Sequence, residues 1–346
     1  MNLTELLKKN KKIHYLLKAL KHIGDKQYVD FYLDMESNPR LLVFDKKGEQ
    51  NKDKAFYVIK ENGKGWGYFA EFRALLCKLL YAERFGFWSY IHWGKDFLYF
   101  DESMQQDNAF EYFFKQPKGL DLEEINKSYM VAESKAADAV LIEREYKEKD
   151  NYGITDQFLE IMADIYKKYI FFNEQTEKNL KEDFQKIQGN GKILGVHFRG
   201  TDYRKAYDIH PTFVQIEEEI EVVRKVFEKD RYDKIFIATD EQKAIEIFEK
   251  EFGKEKICYY QDVQRGDEQT SVAFSESSRQ YHKYLLGYEV IRDMWTLSKC
   301  QGLVAGVSQV SIFARIIKKS RDEQYDFLEI INKGINHNNN KFECKK

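Results

Sequence analysis

The sequence has only three prolines among 346 residues, so it contains no long proline-rich linker. Cysteine is equally scarce. Cys77, Cys258, Cys300 and Cys344 form no CxxC pair and show no metal-ligand spacing, which reads as reduced thiols in a reducing compartment rather than a disulfide framework. The seven histidines make no HxxxH or HExxH pattern, so no zinc site is expected, and no DxD-type motif stands in a convincing loop to bind Mg²⁺. A run of about 18 apolar residues is also missing, and with it any spanning helix. No secretory apolar segment with a small-residue cleavage site is recognisable near Met1. The expected location is therefore the cytoplasm. The formal net charge of -2 carries no basic excess, which argues against a nucleic-acid partner.

What the sequence does contain is aromatic side chains, 23 Tyr and 26 Phe, in a chain that is 43% hydrophobic and 33% charged. That composition is globular. It suits a ring-lined concave site, and a large core accounts for it equally well. The length suggests two domains. The expected division is 1–180, 181–330 and a frayed tail over 331–346, with the boundary near the Gly189-Asn190-Gly191 turn.

Apolar residues at Leu6, Leu7, Ile13, Leu16, Leu17, Leu20 and Ile23, separated by lysines, predict a basic amphipathic helix over 1–24. Such a helix either packs on its own domain or lies on an anionic membrane face. Farther on, Ala55 to Ile59 predicts a strand, Phe69 to Phe85 a helix and Trp88 to Trp93 a second strand, with a glycine-rich turn at Gly63 to Gly67. That is a βαβ unit. Helical stretches are predicted near 121–143 and 154–187. The second half predicts strands at 193–198, 234–238, 256–260 and 302–305. Helices are predicted at 212–229, 241–252, 287–300 and 308–319, with a loop over 264–279. The alternation predicts a doubly wound parallel sheet, so the whole chain reads as α/β with two Rossmann-like halves facing a cleft.

Ligands of such sheets lie at the carboxyl ends of the strands. His197 and Arg199, two apart at the end of the 193–198 strand, point the same way. Arg199 either forks onto phosphate oxygens or pairs with Asp202 to hold the turn. Asp240, just before a helix, reads as a cap or as a support for the site rather than a reactive group. The turn Gly306-Val307-Ser308-Gln309 opens a helix and offers backbone N–H groups to an anion, and Ser308 can cap that helix at the same time.

The segment Gly195 to Asp202 resembles the HxRxxD signature of the fucosyltransferase superfamily, with greatest similarity to the alpha-1,6-fucosyltransferases and nodulation fucosyltransferases. The likeness continues through His210-Pro211, Ile237 to Glu241, Asp293 to Ser298 and Val307 to Val310. It extends more thinly to Gly65-Trp66-Gly67-Tyr68. The resemblance implies a GT-B-like fold, GDP-fucose as donor, no metal, and inversion at the anomeric carbon. It implies that His197 and Asp293 contact the guanosine, that Arg199 with Ser308 and Gln309 holds the β-phosphate, and that Tyr68 lines the donor site beside Gly67.

Three positions depart from the family pattern. Gly200 stands where a second arginine is usual, Tyr203 where a lysine is, and Ala206 where the catalytic glutamate is. Asp208 is the nearest carboxylate and the candidate base, or else a loop cap. The same motifs admit another GDP-sugar, alpha-1,2- or protein O-fucosyl transfer, or a binding protein that has lost catalysis. A glycan or glycolipid acceptor, such as a bacterial surface polysaccharide, fits the expected location and the basic first helix.

Overall fold

The computed structural model describes residues 42–63, 65–146, 154–189, 191–229, 232–266 and 271–342, with residues 13, 17, 20, 21 and 23–25 before them. The predicted helix over 1–24 therefore lies almost wholly outside the described residues. The N-terminal half holds β1 (Phe44–Asp45), β2 (Gln50–Lys60), α1 (Tyr68–Arg84), β3 (Trp88–His92), β4 (Phe114–Lys115), α2 (Leu122–Lys127) and β5 (Ser128–Glu133). It continues through α3 (Ala136–Tyr146), α4 (Asp156–Tyr169), β6 (Phe171–Phe172) and α5 (Glu174–Gln188). The C-terminal half holds β7 (Ile193–Phe198), α6 (Ile216–Lys229), β8 (Lys234–Thr239), α7 (Gln242–Phe252) and β9 (Ile257–Cys258). It closes with α8 (His282–Lys299), β10 (Gly302–Gly306), α9 (Gln309–Ser320) and β11 (Phe327–Ile331).

Two α/β units result. The first sheet has the order β1-β5-β2-β3, with β2 parallel to both neighbours and β1 antiparallel on β5. The second is all parallel, in the order β11-β10-β7-β8-β9. Every residue of β7 is buried, as a strand covered on both faces requires. Strand order reverses between β7 and β10, and that reversal opens the crevice in which doubly wound sheets take ligands.

The halves share their packing. One apolar cluster runs from Leu42 to Ile317 through both, and the ring of Phe69 on α1 stacks on Phe313 of α9 at 4.9 Å. Helix α1 is apolar nearly all round because it is central. The N-cap of helix α8 is Tyr281, which has φ 57 and supplies no side-chain cap. Asp101, from the other half, takes its place by accepting from the N–H groups of Lys283 (3.0 Å) and Tyr284 (3.2 Å). Arg292, buried on α8, ties Asp183 of α5 (3.0 Å) to Asp262 (2.6 Å).

Several boundaries differ from those predicted. The 121–143 stretch is interrupted by β5, a short apolar run whose pairing with β2 overrides any helical reading. The 154–187 stretch breaks at β6, and Asn173 restarts the helix by accepting from the Thr176 N–H at 2.9 Å. Helix α6 begins at Ile216 rather than 212, and Thr212 instead donates its N–H to Gly334 O at 2.9 Å. Helix α8 begins five residues earlier than predicted, and β9 is only two residues long.

Strand β11 is absent from the sequence reading, and the described residues after it, 332–342, pack on the rest of the second half. Ile335 bridges Pro211, and the chain runs on against the 205–211 loop as far as Phe342. Among the described residues, no helix is long and apolar enough to cross a membrane.

Candidate functional site

A cavity of about 480 Å³ lies between the halves at the β7–β10 reversal. The first half contributes Gly65 to Ala70, at the start of α1, and Tyr99; the second contributes the ends of β7 and β8, one side of α8 and the start of α9.

His197, the penultimate residue of β7, is buried. Its Nδ1 stands 3.2 Å from the Ser308 hydroxyl. Burial, with Arg199 nearby, pushes the imidazole down to about 3, so it is neutral at physiological pH. Ser308 is the N-cap of α9. Its hydroxyl accepts from the Ser311 N–H (3.1 Å), while the Ser311 hydroxyl accepts from the Ser308 N–H (3.1 Å). This capping box uses the first and fourth of the four amides that a helix start leaves without intrahelical partners. The two between them, on Gln309 and Val310, belong to residues that line the cavity. Gln309 also has a buried Oε1 with no hydrogen-bond partner among the described residues.

Arg199 is held from both sides. One terminal nitrogen meets Asp202 Oδ1 at 2.6 Å and the other meets Asp240 Oδ2 at 2.6 Å. Burial works against its charge, but the two carboxylates outweigh burial and keep the guanidinium ionised. The fork is thus aimed in advance and keeps further N–H donors for a ligand. Both readings of Arg199 are compatible: the Asp202 pair exists, and the residue still lines the cavity.

Asp240 caps no helix. Its second oxygen accepts from the Gly200 N–H at 3.0 Å, and Thr201 Oγ1 donates to Oδ2 at 2.6 Å. Gly200 is required by space, since a Cβ there would stand 2.0 Å from Glu241 Oε1. Buried Glu241 accepts from the Thr201 N–H at 2.7 Å and pairs with Arg204 at 2.9 Å. A second arginine at position 200 has no room here.

Asp293, on α8, lines the cavity and is buried. Burial lifts its carboxyl to about 7, against the pull of Arg292 and Arg265. Gly67 is the N-cap of α1 and brings a second helix start to the same cavity. Tyr68 reaches the wall, but its ring points into the core, edge-on to Tyr99 at 5.1 Å and Trp93 at 6.0 Å. Its backbone N–H donates to the Tyr99 hydroxyl at 3.3 Å.

Asp208 does not line the cavity. Its Oδ1 accepts from the Asn338 N–H at 3.2 Å, and its backbone carbonyl accepts from His210 Nδ1 at 3.1 Å. A carbonyl only accepts, so Nδ1 is the donor in this contact, and in the neutral ring Nε2 is the acceptor. His210 does line the cavity. The structure thus brings His197, Arg199, Asp293, Ser308, Gln309, Gly67 and Tyr68 to one cavity and leaves Asp208 outside its lining. Tyr99, Phe274 and Phe342 line the cavity too, and the sequence motifs give no hint of them. Among the described residues, no group of three or more His, Cys, Asp and Glu is arranged to hold a metal ion.

No family model matches the chain, and no curated protein matches it in sequence. Solved structures resemble it in overall shape. A NodZ alpha-1,6-fucosyltransferase soaked with GDP-fucose is 15% identical with a TM-score of 0.44, over 76% of this chain and 93% of that one. POFUT1 in complex with GDP is 11% identical with a TM-score of 0.46, over 83% and 99%. The fucosyltransferase NodZ from Bradyrhizobium is 14% identical with a TM-score of 0.42, over 75% and 92%. Similarity this remote assigns no residue roles, and the chemistry of the site rests on the side chains of this chain.

Proposed function

We propose that the chain is an inverting glycosyltransferase that uses a GDP-sugar, with fucose as the transferred sugar and a glycan hydroxyl as acceptor, and that works without a metal. The observation that carries this reading is the convergence of one pre-aimed guanidinium, Arg199, with the first-turn amides of α9. A departing nucleoside diphosphate gathers negative charge on its β-phosphate. Fixed donors at that point stabilise the transition state more than the ground state. The start of α1 adds a second positive helix end to the same cavity.

Asp293 supports the choice of base. A buried carboxylate that accepts no hydrogen bond among the described residues is matched by the adjacent N1–H and 2-amino group of guanine, which adenine does not present. Neutral His197, fixed against Ser308, supports a hydrogen-bonding contact to the nucleotide rather than an ionic one.

The transfer is a single displacement. The acceptor oxygen forms a bond to C1 of the sugar, the bond from C1 to the β-phosphate oxygen breaks with its electron pair, and a base takes the hydroxyl proton. The sequence alone points to Asp208 as that base. The position of His210 on the cavity wall favours its Nε2, with Asp208 fixing the ring through its carbonyl. Asp208 supports a second reading, because its carboxylate is engaged outside the cavity: a GDP-sugar-binding protein without turnover. Incubation with a panel of nucleotide sugars and glycans, scored for released GDP, tests the proposal. Release from GDP-fucose that rises with a glycan supports transfer, and GDP binding with no release from any pair supports the second reading.

A further inference from the structure

The 201–211 loop is strained. Thr201, Ala206 and Ile209 have φ of 32, 47 and 63, which side-chain-bearing residues rarely adopt, least of all a β-branched one such as Ile209. Such a conformation persists only where its surroundings fix it. Glu241 and Asp240 hold Thr201, and the 334–342 segment fixes Ala206 and Ile209. Asn336, Asn338 and Asn340, spaced two apart around a bend at 338–339, each turn a side-chain amide onto the loop backbone. Asn336 Nδ2 reaches Tyr207 O at 3.2 Å, Asn338 Nδ2 reaches Ala206 O at 2.8 Å, and Asn340 Nδ2 reaches Lys205 O at 2.6 Å. The loop returns the N–H of Ile209 to Asn336 O (3.0 Å) and that of Asp208 to Asn340 O (2.7 Å).

The segment then delivers Phe342 to the cavity. Its ring meets Tyr207 edge-on at 5.1 Å, His210 at 5.9 Å and Phe274 at 6.2 Å. Phe342 and His210 are both half-buried and line the cavity that also contains Arg199 and the start of α9. One wall of the cavity is therefore suited to phosphate. Another presents aromatic rings with one hydrogen-bond acceptor, His210 Nε2, beside them.

A pyranose has the matching chemistry. Its C–H faces are apolar and slightly positive, and they pack on the negative face of an aromatic ring. Its rim of hydroxyls donates to a fixed acceptor. We propose that Phe342 and His210, held in place by the asparagine segment, form an acceptor-saccharide subsite, with the Phe342 ring against a pyranose C–H face and His210 Nε2 accepting from one hydroxyl. This rests on the glycosyltransferase reading for its place in a reaction, but binding can be tested without turnover.

The test is saturation-transfer NMR on the full chain with GDP present, using methyl pyranosides of glucose, galactose, mannose and N-acetylglucosamine, with GDP affinity measured by calorimetry in parallel. Saturation of the ring C–H protons of at least one pyranoside is expected. Phe342→Ala should weaken that binding at least tenfold and Phe342→Tyr should restore it, while GDP affinity stays within twofold in both. His210→Ala, which leaves the asparagine contacts in place, should also weaken saccharide binding. Unchanged saturation in Phe342→Ala, an equal loss of GDP binding in that variant, or a wild-type chain that binds GDP but saturates no pyranoside would overturn the subsite. Pyranoside binding by a chain with no affinity for GDP would support the subsite and defeat the donor reading instead.

Discussion

His197 Nδ1 and the Ser308 hydroxyl stand 3.2 Å apart across the point where the order of the second sheet reverses. One ends the first strand of that sheet and the other caps the helix after its fourth, so this contact fixes the α9 amides relative to Arg199. Ser308→Ala removes the contact and half of the capping box. We expect a loss of about 1 kcal/mol of stability, the usual cost of an N-cap deletion, and a larger effect on GDP affinity than Thr155→Ala produces at the cap of α4. Thermal melts and GDP titrations of the two variants check this.

Asp293 gives the donor site a pH dependence. Its carboxyl lies near 7 in the folded chain because it is buried, and a guanine that donates to it binds only the ionised form. GDP affinity should therefore be level above about pH 8 and fall roughly tenfold per unit as the pH drops below 7. Asp293→Asn keeps whatever titration the nucleotide phosphates contribute and should lose the Asp293 part, along with the preference for GDP over ADP. Parallel affinity curves for the two proteins from pH 5.5 to 8.5 would count against a guanine contact.

Gly200→Ala should destabilise the site. The added methyl meets Glu241 Oε1 at 2.0 Å, and Glu241 cannot retreat without releasing Arg204 and the Thr201 N–H. Overpacking of this kind costs about 1–3 kcal/mol. Adding Glu241→Ala to Gly200→Ala relieves the clash, so in thermal melts the two substitutions should together cost less than the sum of their separate losses. Strict additivity would refute the steric account.

Glu219 predicts a stability effect with a definite sign. It is buried on α6, accepts from the Gly306 N–H at 3.2 Å, and has no partner for Oε2 among the described residues. Burial raises its pKa well above the ordinary carboxylate value, more than the Gly306 contact lowers it. The folded state then holds a proton that the unfolded state releases, so its contribution is greatest below the unfolded pKa and declines as pH rises. Glu219→Gln should flatten the decline of stability as pH rises above the ordinary carboxylate range and raise the melting temperature at the upper end. A steeper decline in the variant would contradict this.

The parts of the fold legible in the sequence are those whose signals are local. β7, β8 and β10 are apolar runs between turn residues, and α9 follows a glycine turn and a serine cap. Strand β5 is hidden because six residues of buried strand look like a helical face, and its partner residues on β2 lie at least 75 positions away. β11 was hidden because it pairs on one side only and stays partly exposed, so Phe327–Ile331 carries no buried-strand pattern. At the site, the spacing of His197 and Arg199 was sufficient to place both on one side. Asp240 was harder: Thr239 Oγ1 accepts the Glu241 N–H at 3.2 Å, which frees the aspartate to steer Arg199 instead. The contact of 334–342 with the 205–211 loop depends on two segments over 120 residues apart, although the alternation of Asn336, Asn338 and Asn340 is a period-two signal in its own right.

Calorimetric titration of GDP and GMP into the wild-type chain and Arg199→Lys is the most direct test of the diphosphate grip. The account predicts that the wild type prefers GDP by at least about a hundredfold, as two or more charge-assisted contacts to the β-phosphate imply. It predicts that Arg199→Lys, which keeps the charge but loses the fork, gives up most of that preference while binding GMP as before. Equal affinity for GDP and GMP in the wild type, or an undiminished preference in Arg199→Lys, would contradict it.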